Sequence, residues 1–198
     1  MQYPDNETAE RLLREAGEAN PGPWVDHSRN AALCARTIAA ACGMDAEKAY
    51  ILGLLHDIGR RAGTGDFQHV VHGYRDMTAL GFEDAARVAV THSFPSHDLE
   101  TYNGRFDCTP GEKQEMGALL CEFVFDDYDR LIQLCDSLAL PGRICCVEQR
   151  LIDVALRNGV KGDYQAKWKA YFDIKDRFDA LAGQNIYRLF PQIAEAFT

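Results

Sequence analysis

Apolar positions recur at helical intervals along almost the whole chain. Asp5 to Gly17 reads as a short polar helix, and Pro21-Gly22-Pro23 then interrupts the pattern. Trp24, His27, Ala31, Cys34 and Ile38 follow at three- and four-residue steps, one face of a helix ending near Gly43. Asp45 suits the N-cap of the next helix, which runs through Ala49, Leu52 and His56 and stops at Gly59. Two more helices are predicted from about Asp66 to Leu80, closed by Gly81, and from about Glu83 to His92. After Pro110 the pattern predicts helices over about Glu112 to Leu120 and Asp126 to Ala139, the second ended by Pro141-Gly142. Ile144 to Asn158, Asp163 to Leu181 and Gln184 to Phe197 complete the set. The segment from Ser93 to Pro110 has turn residues and little period, which predicts a functional or flexible loop. No stretch alternates like a strand for more than a few residues, and there is no internal repeat or linker. The expected fold is a single all-α domain, a helical bundle over residues 1–198.

Composition narrows the partners. Hydrophobic residues make up 46% of the 198, enough to build a core and to argue against global disorder. Thirty acidic residues against 21 Lys and Arg leave a net charge of -9, which argues against a broad nucleic-acid surface. No apolar run approaches the roughly 18 residues of a membrane span, and the N-terminus, MQYPDNETAERLLREAGE, lacks a secretory apolar region. The seven cysteines are odd in number and none forms a CxxC pair. They read as reduced thiols of a cytoplasmic protein, with Cys34, Cys42, Cys121 and Cys135 in apolar helical stretches.

The chemistry centres on His56-Asp57, where the apolar helix AYILGLLHDIGRR emerges from its core. Neighbouring helical residues diverge by about 100°, so the two side chains could reach different ions, or the carboxylate could bridge a pair. A satisfied core histidine beside a capping aspartate is the plainer reading of the dipeptide alone. Other residues shift that balance. His27 lies on an apolar face, His72 follows Val70-Val71, His92 ends AARVAVTH, and Asp136 stands among Leu134, Cys135 and Leu138. A carboxylate in such company is costly to bury unless paired or metal-bound. Helical bundles build metal sites from inward side chains on facing helices in this manner.

The strings WVDHSRNAALCARTIA, LLHDIGRR, VVHGYRDMTALGF, VAVTHSFP and LCDSLALPG resemble the HD-domain superfamily of metal-dependent phosphohydrolases, over about Trp24 to Leu140. The resemblance implies a core metal site of His27, His56, Asp57 and Asp136. Two further histidines, His72 and His92, mark the dimetal branch, with Asp57 as the bridging carboxylate. His69 rivals His72, three residues away; the following Gly73 and the HG string favour His72. The cyclic-dinucleotide phosphodiesterase class is not implied, because its GYP motif is missing.

Imidazole and carboxylate ligands suit Fe, Mn, Ni, Co or Zn without choosing among them; the resemblance implies one or two such divalent transition metal ions, iron foremost. Such ions would hold a hydroxide able to attack phosphorus and would reverse the local charge of an acidic pocket. The expected function is hydrolysis of a small phosphate ester, a nucleotide or dinucleotide, with no membrane partner and with a homodimer as one assembly. Asp57 and Arg60 are expected to act at the reacting centre and His97 as a proton donor, with Arg143 and Arg150 as candidates for the far side of the pocket. Trp168, Tyr171, Phe172 and Phe178 read as core. Two alternatives remain open: a mixed-valence di-iron oxygenase of the same superfamily, and a non-catalytic ligand-binding protein stabilised by metal.

Overall fold

Every residue from Ala49 to Leu55 is buried, so the helix Ala46–Leu55 is apolar on all sides and has to be central. Asp45 starts it, as expected, by accepting from the amides of Glu47 and Lys48 at 2.9 and 3.0 Å. A computed structural model describes residues 2–63 and 65–195. In chain order the helices are α1 (Asn6–Ala19), α2 (Trp24–Ala41), α3 (Ala46–Leu55), α4 (Gln68–Ala79), α5 (Glu83–Thr91), α6 (Pro110–Glu122), α7 (Asp127–Leu138), α8 (Val147–Asn158), α9 (Tyr164–Ala182) and α10 (Pro191–Glu195). The fold is all-α, with α1, α2 and α7 packed about α3. No described helix is long and apolar enough to cross a membrane.

Capping chemistry explains several boundaries. Thr109 and Glu112 form a capping box at α6, whose first residue is Pro110. Asp126 and Asp129 do the same at α7, so the acidic run there serves as a helix start. Asp129 is fully buried yet satisfied, because Arg87 reaches it at 2.5 Å and Thr91 at 2.8 Å. Gln133 also donates to the Thr91 carbonyl at 3.0 Å. These bonds clamp α5 to α7 and so fix His92 relative to Asp136.

Three differences from the sequence reading have physical reasons. A short antiparallel pair, Ala139–Leu140 with Arg143–Ile144, follows α7, because Gly142 turns the chain at positive φ. The predicted last helix is split into a 3-10 turn, Ile186–Leu189, and α10, since Pro191 cannot continue a preceding helix; residues 196 and 197 of that expectation lie outside the described residues. The segment Ser93 to Pro110 is held by aromatic packing: Phe94 and Tyr102 join Phe67, Val70, Val90 and Met116 in a second apolar cluster. Its order comes from contacts distant in sequence, which leave no local period.

One close approach sets the geometry of the site. Asp57 is followed by a 3-10 turn, Ile58–Ala62, against which α4 packs. A Cβ on Gly59 would overlap the carbonyl oxygen of His69 and the amide nitrogen of Gly73. Gly59→Ala is therefore expected to cost about 1–3 kcal/mol, as overpacking does. Chemical denaturation checks it, and an unchanged midpoint would contradict the contact.

Candidate metal centre

Asp57 lies just past the end of α3, outside regular α geometry, and its carboxylate faces two sets of histidines. Oδ2 is 4.0 Å from His27 Nε2 and 3.9 Å from His56 Nε2. Oδ1 is 3.2 Å from His69 Nε2 and 3.7 Å from His92 Nε2. Across each set the ring nitrogens face one another, at 3.2 Å for His27 and His56 and 3.4 Å for His69 and His92. Asp136 Oδ1 adds a contact at 2.9 Å to His27 Nε2. All but Asp136 are buried residues, and Asp136 is largely covered.

The backbone decides which nitrogen of each ring is bare. His27 Nδ1 lies 3.1 Å from the Ala139 carbonyl oxygen, and His56 Nδ1 lies 2.7 Å from that of Gly53. His92 Nδ1 faces the carbonyls of Val88 and Ala89 at 3.2 and 3.1 Å, and His69 Nδ1 faces that of Asp66. A carbonyl oxygen only accepts, so each Nδ1 carries the proton and each Nε2 presents its lone pair to the cluster. Burial pushes His56 down to about 4 and, with the Arg60 charge, His69 down to about 3, so both are neutral at pH 7. Burial alone would raise the Asp57 carboxyl, but the adjacent Arg60 charge holds it well below the usual range. For Asp136, the Arg150 charge 3.8 Å away likewise works against burial and holds the carboxyl low.

Lone pairs pointed at lone pairs and at two carboxylates repel unless a cation lies between them. Asp57 Oδ1 is buried without a hydrogen-bond donor, which likewise suits a cation as its partner. Adjacent ligands of one transition-metal ion stand about 3 Å apart at bond lengths of about 2.1 Å, close to the 2.9–3.4 Å found for the nearest pairs. The donor set therefore fits divalent metal in two groups, His27–His56–Asp57 and Asp57–His69–His92, sharing Asp57.

His69, rather than His72, completes the second group. The expectation for His72 is corrected by the packing of α4. The contact between Gly59 and Gly73 presses the His69 turn against the 3-10 segment. His72 is left half-buried at the side, bonded to Gln68 Oε1 at 2.9 Å in a separate hollow with Asp107. Gly73 is thus a packing glycine and no marker of the ligand before it.

His97 is the second correction. Its ring stacks on Phe125 with centroids 3.6 Å apart, its Nε2 is 3.4 Å from the Phe123 carbonyl, and it is not among the residues lining the central cavity. The proton-donor role has no geometric basis there. Arg60 does line that cavity of about 510 Å³, and its Nε donates to Asp57 Oδ2 at 2.6 Å. Asn20 bonds the Arg60 carbonyl at 2.6 Å, which ties this turn to the end of α1. Arg150 lines the cavity and stands 3.8 Å from Asp136 Oδ1, whereas Arg143 is exposed on the hairpin. Trp168 and Tyr171, expected as core, line the cavity as well as packing, and Lys167, Arg157 and Tyr102 join them unforeseen. Lys167 carried a signal: it heads the stripe Tyr171, Ile174, Phe178 at helical spacing. None of the seven cysteines joins the metal groups, and no disulfide forms among the described residues; Cys121 is exposed despite its apolar neighbours.

The family model of the HD domain matches residues 24–155, which is more than half of the chain and includes every ligand described above. No curated protein and no solved structure matches. The matched span, its His-Asp pair and the buried histidine and aspartate groups agree with one another: the chain belongs to the HD-domain family.

Proposed function

We propose that this protein is a metal-dependent phosphohydrolase acting on a small phosphate ester, with a nucleotide or dinucleotide as the substrate. The observation that carries the reading is the pair of three-residue groups sharing Asp57, with four bare Nε2 atoms turned inward. Two divalent ions bound by His27, His56, Asp57, His69, His92 and Asp136 would supply Lewis acidity and a water of lowered pKa. Iron, manganese, nickel, cobalt and zinc all suit imidazole and carboxylate donors.

The chain's own residues support a small anionic substrate. A cavity of about 510 Å³ lies within the size range of small-molecule sites. Arg60 stands over Asp57 and is placed to neutralise phosphoryl oxygens there. Tyr102, almost wholly buried beside Arg60, helps to exclude water from that wall. Seven thiols outside any disulfide among the described residues agree with action in the cytoplasm.

The test is a panel of phosphate esters and nucleotides offered under nitrogen to protein loaded with Mn²⁺ or Ni²⁺. Phosphate release is the expected result. Oxygen uptake with a mixed-valence iron signal, and no anaerobic phosphate release, would replace hydrolysis by oxygenation. Metal binding without turnover of any kind would replace it by a metal-stabilised binding role.

A further inference from the structure

Two lysines of α9 are buried to the same degree, and only one is neutralised. Lys175 Nζ meets Asp179 Oδ2 at 2.6 Å and lies over the Tyr187 ring. Lys167 has one protein partner, the Thr101 carbonyl at 2.9 Å, and no carboxylate within 4.0 Å among the described residues. An ammonium has three N–H donors, so two are left to aim elsewhere. A buried charge without a carboxylate in contact is expensive, and Asp136 and Asp98 act on Lys167 only from beyond 4.0 Å. Lys167 lines the same cavity as Asp57, Arg60 and Asp136. The other cations on that wall are already engaged: Arg150 is 3.6 Å and Arg157 2.7 Å from Asp153. Lys167 also lies beyond the 24–155 span that matches the HD domain, so it belongs to what this chain adds to the family's core.

We propose that Lys167 binds a second anionic group of the substrate, apart from the phosphate that reacts at the histidine–aspartate centre. The substrate class is then a small phosphate ester carrying a further phosphate or carboxylate. This specificity rests on the phosphohydrolase reading, but the Lys167 site itself is measurable without turnover.

The experiment titrates inorganic phosphate into the full-length Asp57→Ala protein by calorimetry, so that metal-held phosphate does not contribute. Adding Lys167→Gln is expected to weaken binding at least about tenfold, the loss of a charge-assisted contact. Adding Lys167→Arg should restore most of it, and adding Lys175→Gln should leave it within about twofold. Equal binding with and without Lys167→Gln, equal loss with Lys175→Gln, or no binding to the parent protein would overturn the proposal. If Asp57→Ala does not fold, the same comparison is made in chelator-treated protein that keeps Asp57. Repeating the titration with succinate separates the two chemistries, the tighter ligand naming the group. Lys167-dependent binding in a protein that hydrolyses no ester would sink the phosphohydrolase reading alone. Hydrolysis without Lys167-dependent binding would sink this proposal alone.

Discussion

Asp57→Ala is expected to empty both metal groups at once and to abolish turnover. Asp57 is the one residue common to the two groups, with a different oxygen turned to each. Loss of an orienting partner outside the ligand set typically costs 10–100-fold in affinity or activity. Loss of a shared ligand should exceed that, by about 10³-fold or more in activity. Each remaining group would keep two imidazoles, with Asp136 beside the first. Elemental analysis and a phosphate-release assay on folded protein check this. Full metal content with normal turnover would remove Asp57 from the centre of the site.

The second large effect separates two histidines on one helix. His69→Ala is expected to lower metal affinity more than about 100-fold, because the ring faces both Asp57 Oδ1 and His92 Nε2. His72→Ala should change it by no more than about threefold, since its ring is spent on Gln68. Metal titration of the two variants decides the matter. The reverse order of effects would mean that α4 sits one turn differently from what the Gly59 contact requires.

Most of the helical plan was legible because burial and local capping say the same thing at Asp45 and Asp126, whereas the start of α6 was read two residues late because its Thr109 cap lies in the stretch taken as loop. His27, His56, Asp57, His92 and Asp136 were legible as polar groups on apolar faces, and the structure draws them together. Choosing between His69 and His72 was beyond periodicity. The two are three residues apart on α4, and the outcome depends on which edge of that helix meets a 3-10 turn. The far wall was hidden for a different reason. Trp168 and Tyr171 have the spacing of core residues and do pack as core, so nothing local marks their second role at the cavity. His97 misled because a loop histidine near a reactive motif invites a proton role, whereas Phe125 had already captured its ring.

The orientation of the four inward histidines rests on the carbonyls of Ala139, Gly53, Asp66, Val88 and Ala89. In many metal sites this supporting role falls to side chains, which single substitutions can delete. Main-chain carbonyls survive any replacement that preserves the helix or turn carrying them. The scaffold behind the ligands is therefore silent to alanine scanning, and sequence drift around the site can proceed without loosening it. Selection on this support acts through fold stability, so substitutions that soften α5 or the turn at Asp66 would erode function while leaving every ligand in place.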